Sequence, residues 1–552
     1  MATQITQTQT AATQTQTESQ AGPQTQTEAA REVISYDPAT SEEVGRVPLR
    51  SAEEVGQAVA RARAAQKGWG ALSFRERAGV VMRARGFVLE ELDEIASLIS
   101  RESGKPVAEA IAMEIVPTLD LMQFFARRAE RLLRPEKIDI GLYRFLGRTS
   151  TIEYRPLGTV GIISPWNFPW AIPLGEVVMA LMAGNSVVLK PSELTPLVAV
   201  KIGDLFARAG LGEGVLEIVT GDGSTGQCLV EACVDKIMFT GSVATGRRVA
   251  EAAARKLTPV VLELGGKDPM LVFEDADLDA ASEAAVWGAF ANSGQACSSV
   301  ERCYVHERIA EDFTRRVVSK AKALRQARGN TEGTDLGAMS SERQLRTVEE
   351  HVREAVVKGA HVLAGGCRAE GLDERGWFHA PTVLTNVDHS MAVMREETFG
   401  PVLPIMTFKS EDEAVRLAND SQFGLTASVW TRNLKRGRRV ASRIEAGTIM
   451  VNEVLYTHGI AQTPWGGVKQ SGLGRTHGRL GLLEMVAPHH IHVNRLTLLQ
   501  DVWWFSYTPE AASLFHSLAR RFATGSLLQT LLISPQMLRR YRERKRRASG
   551  RR

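Results

Sequence analysis

Two residues suited to covalent catalysis, a glutamate and a cysteine, stand 34 positions apart near the middle of the chain. Glu263 ends an apolar run and opens Glu263-Leu-Gly-Gly-Lys267, and Cys297 closes Gly294-Gln-Ala-Cys297. A cysteine thiolate is a strong nucleophile, and a glutamate in a partly apolar pocket can act as a general base near neutral pH. A lone cysteine would mean little, because free cysteines are usually small buried hydrophobes. The two residues in these contexts predict nucleophilic catalysis with a general base.

The two contexts resemble the glutamate and cysteine signatures of the aldehyde dehydrogenase superfamily, E-L-G-G-K and G-Q-x-C. The resemblance runs from about residue 32 to about residue 495. It implies an α/β fold with a Rossmann-type parallel-sheet cofactor domain, an α/β catalytic domain and oligomerisation strands. Strand and helix patterns also alternate between residues 186 and 241, which indicates a doubly wound parallel sheet.

In that family the cysteine adds to an aldehyde, and the resemblance carries this role to Cys297. The oxygen of the adduct would be held by the Cys297 backbone N–H and by the amide of Asn167, which stands in Pro165-Trp-Asn-Phe-Pro169. Hydride then passes to C4 of the nicotinamide, and Glu263 activates the water that hydrolyses the thioester. Because Glu263 is present, we expect the hydrolytic branch and not the branch that acylates coenzyme A.

The resemblance also implies a dinucleotide site for NAD, with NADP as the alternative. Lys190 and Glu193 follow a buried strand at the place where the family grips the adenosine ribose, and a carboxylate there would repel a 2′-phosphate. Gly241 and Ser242 open a strand-to-helix turn that can hold the pyrophosphate. The expected cofactor-binding residues are Ile163, Trp166, Lys190, Ser192, Glu193, Gly221, Gly241, Ser242, Glu397 and Phe399.

The chain is predicted to consist of a folded enzyme between two tails. Residues 1–31 are Thr- and Gln-rich with few apolar side chains, which predicts a disordered tail. Residues 498–552 form a C-terminal extension of aromatic and apolar residues followed by a basic run. The expected domains are an NAD-binding domain (32–137 and 157–262), a catalytic domain (263–465) and oligomerisation segments (138–156 and 466–497).

Two interpretations of the C-terminal extension stay open. Thr508 is a candidate N-cap with Pro509 at the first helical position, and apolar residues from Ala511 to Phe522 fall on one helical face. An amphipathic, basic extension of this kind can lie on an anionic membrane surface, or its apolar face can pack on the protein itself. The family resemblance separately predicts a homodimer or homotetramer.

The composition disfavours several kinds of partner and site. A net charge of +4 over 552 residues does not favour nucleic acid as a partner. Five cysteines without C-x-x-C spacing argue against a zinc site and against a disulfide framework. We therefore expect no metal and a reducing, cytoplasmic compartment. No stretch reaches the ~20 consecutive apolar residues of a membrane span.

Periodicity predicts the main helices and strands. Helices are expected from Arg75 to Ser100, from Pro106 to Leu133 and from Ala310 to Arg328, and Ser51 and Glu54 have the spacing of a capping box. The expected strands are residues 149–156, 186–190, 215–221, 236–241, 302–306 and 488–495.

Two departures from the family pattern bear on mechanism and substrate. Some members carry a second glutamate after S-G-x-G-R, but here Thr476 and His477 follow Arg475, and whether His477 substitutes is open. Succinic-semialdehyde dehydrogenases typically place an arginine eight residues after the oxyanion asparagine. In this chain that position is Gly175, followed by Glu176, so a substrate carboxylate would lack its cation and meet a like charge.

The predicted substrate is an uncharged aldehyde. Trp170, Ile172 and Trp465 suggest an apolar or aromatic pocket mouth, and Gly175 leaves room for a longer chain. We therefore expect a medium- or long-chain aliphatic or aromatic aldehyde. Succinic semialdehyde is the alternative substrate. A non-catalytic binding protein on the same fold is the other alternative, which the presence of nucleophile, base and oxyanion amide disfavours.

Overall fold

The computed structural model describes residues 32–496, 501–525 and 527–548. The predicted disordered tail, 1–31, lies outside these residues. The strands of the described chain are β1 (Glu32–Tyr36), β2 (Glu43–Pro48), β3 (Glu136–Ile138), β4 (Arg148–Pro156), β5 (Thr159–Ile163), β6 (Ser186–Lys190), β7 (Leu216–Ile218), β8 (Lys236–Thr240), β9 (Val260–Glu263), β10 (Asp268–Val272), β11 (Val300–His306), β12 (His361–Ala364), β13 (Thr382–Thr385), β14 (Val402–Phe408), β15 (Thr426–Trp430), β16 (Thr448–Val451), β17 (Gly472–Leu473) and β18 (Val486–Asn494).

The helices of the described chain lie between these strands and at its C-terminal end. They are α1 (Ala52–Ala71), α2 (Phe74–Glu90), α3 (Leu92–Ser103), α4 (Val107–Ala110), α5 (Val116–Leu132), α6 (Ala171–Ala183), α7 (Pro196–Arg208), α8 (Gly223–Glu231), α9 (Val243–Ala254), α10 (Leu278–Phe290), α11 (Ala310–Ala323), α12 (Glu342–Val357), α13 (Ala392–Arg395), α14 (Glu411–Asn419), α15 (Leu434–Ala441), α16 (Gly478–Leu483), α17 (Pro509–Thr524) and α18 (Leu527–Ala548).

A six-stranded sheet has the order β17-β9-β8-β5-β6-β7. Strands β5 to β9 run parallel to their neighbours, and only β17 is antiparallel. The chain leaves β5 toward β6 and β7 and later returns on the other side as β8 and β9. The strand order therefore reverses between β5 and β8, and ligands bind in the crevice at the carboxyl ends of such strands. The predicted doubly wound parallel sheet is confirmed.

Helix α6 is buried along its whole length beside this sheet. Its thirteen residues are apolar or small except for one charged side chain, Glu176. A helix that is apolar all round belongs in a core. A carboxyl group inside such a helix is surrounded by protein and not by water. The position of Glu176 therefore requires an explanation.

A second sheet, of seven strands, has the order β12-β13-β14-β11-β10-β15-β16. All of its pairs are parallel except β12 with β13. Separate apolar cores cover its two faces, one containing Phe290 and Phe313 and the other containing Tyr304 and Phe408. The cysteine-bearing loop enters this sheet immediately before β11.

The third sheet is antiparallel, with the order β18-β4-β3. All nine residues of β18 pair with β4, from Val486 opposite Pro156 to Asn494 opposite Arg148. The strands predicted at 149–156 and 488–495 are therefore present, each slightly longer than expected. Within the described residues, β18 has a strand neighbour on one side only.

Two helix predictions are wrong in extent. The helix expected from Arg75 to Ser100 is two helices separated at Glu91, whose backbone is not helical (φ −107°, ψ 23°). No glycine or proline marks this break, and the Glu91 carboxylate instead pairs with Lys201 and Arg208 on α7. The helix expected to reach Arg328 ends at Ala323, because the chain then becomes extended and pairs with residues 335 and 336.

Local signals elsewhere predicted the structure well. The capping box of Ser51 and Glu54 is formed, with both reciprocal hydrogen bonds. Helix α17 begins as expected, since the Thr508 side chain accepts a hydrogen bond from the Ala511 N–H and Pro509 occupies the first turn. Helix α17 packs against α18 through Leu514 and Ile533. None of the helices in the described ranges is both long and apolar enough to cross a membrane.

Candidate active site

The loop that carries Cys297 is held in an unusual backbone conformation. After α10, Asn292, Ser293 and Gly294 are all left-handed, with φ of 54°, 53° and 74°. A Cβ atom on Gly294 would lie 2.1 Å from the carbonyl oxygen of Gly400. Only glycine fits at that position, so the Gly-Gln pair before the cysteine has a structural reason. The turn places Cys297 at the entrance to β11.

The glutamate and cysteine motifs touch. A Cβ atom on Gly266 would lie 2.3 Å from the carbonyl oxygen of Cys297, so the Gly-Gly turn lets the two segments approach each other. Glu263 is the last residue of β9, and its carbonyl oxygen accepts a hydrogen bond from the Gly241 N–H (3.0 Å). Lys267 is anchored by a buried ion pair with Glu301 (2.5 Å). Residues 34 positions apart in sequence thus meet at one site.

Glu263 and Cys297 both line one cavity, which is partly open to solvent. The ten lining residues are Ile172, Glu176, Thr240, Glu263, Leu264, Cys297, His458, Trp465, Thr476 and His477. The predicted apolar contacts Ile172 and Trp465 are among them. Trp170 is not: it is fully buried elsewhere, and its Nε1 donates to the Thr118 hydroxyl (3.0 Å). The prediction of Trp170 at the pocket mouth is wrong because its side chain turns into the core.

Glu263 is a buried carboxyl group with few favourable contacts. Within the described chain neither of its side-chain oxygens has a hydrogen-bond partner. Burial raises the pKa of Glu263 well above its usual value, the neighbouring Glu176 raises the pKa further, and only Arg475 opposes the shift. A carboxyl group in this setting takes up protons readily, as a general base must.

Glu176 lines the same cavity. From the sequence it is predicted only as a like charge beside Gly175 that disfavours a substrate carboxylate. Its Oε1 accepts a weak hydrogen bond from the Thr240 hydroxyl (3.4 Å), and within the described chain its Oε2 has no partner. Burial raises the pKa of Glu176 to about 8. The single acidic residue in an otherwise apolar helix was the sequence signal that could have identified it.

The Cys297 thiol is also biased toward its neutral form. Burial raises its pKa, and the carboxyl groups of Asp268, Glu397 and Glu263 raise it further, in that order. A thiol must lose its proton to become a nucleophile. The surroundings therefore require a proton acceptor at the moment of attack, and Glu263 is the lining carboxyl group that the sequence predicted for that part.

Asn167 is held beside the cysteine loop by hydrogen bonds of its side-chain amide and of its backbone carbonyl group. Its Nδ2 donates to the Gln295 carbonyl oxygen (3.1 Å), two residues before Cys297. Its own carbonyl oxygen accepts from the Lys105 Nζ (2.8 Å) and from the Asn292 Nδ2 (2.9 Å). The structure thus brings Asn167 to the loop that carries Cys297.

Two histidines also line the cavity. The rings of His458 and His477 are 4.6 Å apart and edge-to-face, and the His458 ring also packs against Trp465 (5.0 Å). Burial lowers the pKa of His458 to about 4 and lowers that of His477 well below its usual value. Both rings are therefore neutral at neutral pH. The Nδ1 of His477 lies 3.0 Å from the Thr476 hydroxyl.

The expected adenosine-side residues collect at the carboxyl ends of the parallel strands. Ile163 ends β5 and Lys190 ends β6. Lys190 is buried and lies 3.4 Å from Glu193, whose side chain is half exposed (49%). Ser192 is buried between them in sequence and accepts from the Leu194 N–H. An exposed carboxylate beside a lysine is a donor-and-acceptor set that fits ribose hydroxyls. Gly221, also predicted, follows β7 at the same end of the sheet.

The expected pyrophosphate and nicotinamide residues also fall in the crevice. Ser242 caps α9 at the end of β8, directly after Gly241, so the N-terminus of a twelve-residue helix opens there. Such a helix end fits an anionic pyrophosphate. Glu397 accepts from the Gly266 N–H (3.0 Å), and burial raises the pKa of Glu397 to about 8. Phe399 packs edge-to-face on Trp166 (5.4 Å).

Comparison with known proteins identifies the same family. A model of the aldehyde dehydrogenase family matches residues 25–491. The chain is 40% identical to a 4,4′-diapolycopene aldehyde oxidase of Methylomonas over 513 residues, covering 93% of this chain and 95% of that protein. That match leaves about 39 of the 552 residues unmatched, fewer than the 55 in 498–552, so it reaches into the C-terminal extension.

Other relatives match the enzyme without requiring the extension. A protein of Mycolicibacterium smegmatis assigned as a succinate-semialdehyde dehydrogenase [NADP(+)] is 40% identical, covering 85% of this chain and 92% of that protein. Among solved structures, an NAD-dependent aldehyde dehydrogenase from Sinorhizobium meliloti has a TM-score of 0.82 and 38% identity, covering 86% of this chain and 93% of that chain. An NAD+ complex of an aldehyde dehydrogenase from Bacillus cereus has a TM-score of 0.81 and 34% identity, covering 84% and 94%.

Proposed function

Since the chain belongs to the aldehyde dehydrogenase family and is an NAD(P)-dependent aldehyde dehydrogenase, we propose that it oxidises medium- or long-chain aliphatic or aromatic aldehydes to carboxylic acids. The observation that carries this proposal is the composition of the cavity wall. Apolar Ile172, Leu264 and Trp465 face two buried carboxyl groups, and no lysine or arginine is among the residues lining it in the described chain.

Cys297 begins the reaction. Its sulfur bonds to the aldehyde carbon, and the thiol proton leaves to a base, for which we propose Glu263, a buried carboxyl group that lines the same cavity. The carbonyl oxygen becomes an oxyanion, held by the Cys297 N–H and the Asn167 amide. These neutral donors favour a charge that exists only after attack. A bound nicotinamide cofactor would accept the hydride from the tetrahedral carbon.

Loss of hydride leaves a thioester on Cys297, which water must cleave. After the first proton has passed from Glu263 to solvent, Glu263 takes a proton from that water as the C–O bond forms, and this proton returns to the Cys297 sulfur as the C–S bond breaks. The sum is aldehyde, water and NAD+ to carboxylic acid, NADH and a proton. Accordingly Glu263→Gln should release one burst of NADH and then accumulate acyl-enzyme. Undiminished steady-state turnover of that variant would remove Glu263 from the mechanism.

NAD is the proposed cofactor in preference to NADP. The exposed Glu193 carboxylate can accept hydrogen bonds from two ribose hydroxyls and would repel a 2′-phosphate. Ser242 and Gly241 at the start of α9 would hold the pyrophosphate, and Glu397 would hold the nicotinamide ribose. Trp166 and Phe399 would pack beside the ring.

A succinic-semialdehyde substrate is the second candidate, and one structural observation favours it beyond the names of relatives. Arg475 lies close enough to Glu263 to oppose the rise in its pKa, so a cation stands behind the cavity wall. Its guanidinium, however, donates to the Gly467 and Gly474 carbonyl oxygens, and it is not among the lining residues. A substrate carboxylate would meet buried carboxyl groups first, which favours the apolar substrate.

The deciding experiment measures initial NADH and NADPH formation over a series of alkanals, benzaldehyde and succinic semialdehyde, with Cys297→Ala as the blank. We expect kcat/KM to rise with chain length, because each buried methylene adds about 0.8 kcal/mol of transfer free energy. A higher kcat/KM for succinic semialdehyde would overturn the substrate proposal and leave the reaction class intact.

We also propose that copies of the chain assemble into a homodimer or homotetramer in a reducing, cytoplasmic compartment. The open edge of β18 supports assembly, since an unpaired nine-residue strand edge binds another strand readily. All five cysteines are free, which supports a reducing compartment. Light scattering of the purified protein tests the assembly, and a monomer at micromolar concentration would contradict it.

A further inference from the structure

The C-terminal extension differs in charge from the rest of the chain. Residues 498–552 contain eleven lysines and arginines against three acidic residues, a net charge of +8. The whole chain has a net charge of +4, so residues 1–497 together have a net charge of −4. A basic extension on an acidic enzyme indicates an anionic partner for the extension alone.

The described part of the extension, residues 501–525 and 527–548, contacts the enzyme at two points. Arg148 of β4 forms an ion pair with Asp501, in which both side chains are largely buried. The Tyr143 ring stacks on the Phe522 ring of α17 (6.4 Å). Both contacts lie beside the three-stranded sheet, so the extension has a defined position on the surface of the enzyme.

Buried arginines of α18 fix the segment that precedes α17. Arg540 is 1% exposed, and its guanidinium donates to the carbonyl oxygens of Trp504 (2.9 Å) and Ser506. Arg544 also donates to Trp504 and lies over its ring (5.6 Å). The arginines satisfy backbone carbonyl groups that would otherwise hold water, so residues 503–507 present a fixed surface.

That surface is aromatic and exposed. We define the aromatic ridge as Phe505, Tyr507, Phe522 and Phe145, which are 78%, 65%, 55% and 75% exposed. The Phe505 and Tyr507 rings are 4.9 Å apart, and Tyr507 packs on Phe515, two helical turns before Phe522. Tyr143, which stacks on Phe522, is two residues before Phe145 in sequence. Large aromatic groups exposed together mark an interaction surface.

Basic side chains are exposed on α18, the helix that binds the backbone of residues 504 and 506. Arg539, Arg542 and Lys545 are exposed on α18. Arg540 and Arg544 of the same helix are buried and donate hydrogen bonds to the backbone of the segment before α17. Aromatic side chains favour the water–hydrocarbon boundary of a bilayer, and lysine and arginine favour the phosphates just outside it. The aromatic side chains suit the water–hydrocarbon boundary of a bilayer, and the basic side chains suit its anionic phosphates.

We propose that the C-terminal extension docks the enzyme on anionic lipid bilayers, with the aromatic ridge in the interfacial layer and Arg539, Arg542 and Lys545 at the lipid phosphates. A second copy of the chain fits this surface less well, because two extensions of charge +8 would repel each other. The docking adds a partner to the proposed function and does not depend on it. It would bring the cavity to the place where apolar aldehydes accumulate.

The test is sedimentation of the full chain with vesicles of phosphatidylcholine, with and without phosphatidylglycerol. We expect binding only to vesicles that contain phosphatidylglycerol, and weaker binding when salt rises from about 50 to about 300 mM. The triple variant Arg539→Gln, Arg542→Gln, Lys545→Gln should bind roughly 100-fold more weakly, because each cation near such a surface contributes on the order of 1 kcal/mol. The variant Phe505→Ser, Tyr507→Ser should also lose binding.

Matched control variants distinguish binding by this surface from a general effect of net charge or of exposed apolar side chains. Arg343, Lys435 and Arg438 are exposed elsewhere on the enzyme, and their exchange for glutamine lowers the net charge equally. Leu257 and Val357, 89% and 83% exposed, are the apolar controls for exchange to serine. The control variants should bind like the unaltered chain.

Three results would overturn the proposal. They are no binding by the full chain, equal losses in the control variants, or a smaller assembly on light scattering when Phe505 and Tyr507 are exchanged. The last would make the ridge an interface between copies. Dehydrogenase activity on a short soluble aldehyde, measured on every variant, reports whether the enzyme is folded and tests the proposed function separately.

Discussion

The carboxyl group of Glu176 raises the pKa of Glu263 across a cavity that also contains Cys297. The two carboxyl groups come from different elements, one from the middle of α6 and one from the end of β9 in the six-stranded sheet. Neighbouring carboxyl groups cannot both ionise easily, so their protonation is linked. Glu176 thus adds to the effect of burial on the pH range in which Glu263 is available as a base.

Exchanging Glu176 for glutamine should move the rising limb of the pH profile of kcat to lower pH. The change removes the like charge that raises the pKa of Glu263, so the base form of Glu263 appears at lower pH. The measurement is steady-state kcat from about pH 5 to about pH 10. Glu102→Gln is the control, since Glu102 is another buried carboxyl group that does not line the cavity. An unchanged profile for Glu176→Gln would show that the two groups titrate independently.

A single methyl group on Gly294 should nearly abolish activity while leaving the protein folded. The Cβ of Gly294→Ala would meet the Gly400 carbonyl oxygen at 2.1 Å, so the loop must shift and Cys297 with it. A displacement of about 1 Å at a reacting atom costs on the order of 100-fold in rate. The assay is kcat together with the thermal midpoint.

Gly371→Ala is the matched control for backbone strain. Gly371 also has a positive φ (72°), but a Cβ atom there would have no neighbour within 4 Å. It should lose about 1 kcal/mol of stability and keep its activity. If both variants lose activity equally, left-handed strain and not the position of Cys297 is responsible.

Exchanging Glu193 for glutamine should shift the cofactor preference toward NADP. Removing the carboxylate removes the repulsion of a 2′-phosphate, while Lys190 stays nearby to attract it. The ratio of kcat/KM for NADP to that for NAD should rise by about 10-fold or more, corresponding to about 1.4 kcal/mol. Glu213→Gln, an exposed acid elsewhere on the same domain, should leave the ratio unchanged. A fall in both values by the same factor would instead assign Glu193 a general binding role.

The protein without cofactor should become less stable as pH rises from about 6.5 to about 8. The pKa values of Glu109, Glu176 and Glu397 are raised by burial, from an ordinary value of 4.5 to about 7, 8 and 8. Between those limits the folded chain holds protons that the unfolded chain has released, so the free energy of unfolding falls with rising pH. Thermal midpoints measured across this range check the sign. A rising midpoint would show that the buried histidines, whose pKa values are lowered by burial, dominate instead.

The sequence predicted the parts of the site that depend on local patterns. The Gly-Gly turn after Glu263 and the Gly-Gln pair before Cys297 have steric reasons that the structure displays at Gly266 and Gly294. The parallel sheet followed from alternating strands and helices. These features succeed because the backbone constraint and the chemical group lie within a few residues of each other.

The errors share a different cause. Trp170 lies just before α6 and Ile172 lies in its first turn, yet the first faces the core and the second the cavity, and the sequence alone did not separate them. His458 lines the cavity from a short turn far along the chain, with no motif around it. The break at Glu91 follows from ion pairs with α7. Each depends on contacts between distant segments, which local periodicity does not encode.

Strand β18 also has a consequence for how the protein is made. Its nine residues pair on one side with β4, and the other side carries a row of backbone N–H and C=O groups without a strand partner in the described chain. A newly folded copy therefore has an unpaired strand edge that can hydrogen-bond to other chains until another strand covers it. Covering that edge is a protective step in biogenesis as well as a route to quaternary structure. Crowded refolding or overexpression would place correct pairing in competition with aggregation through the same strand.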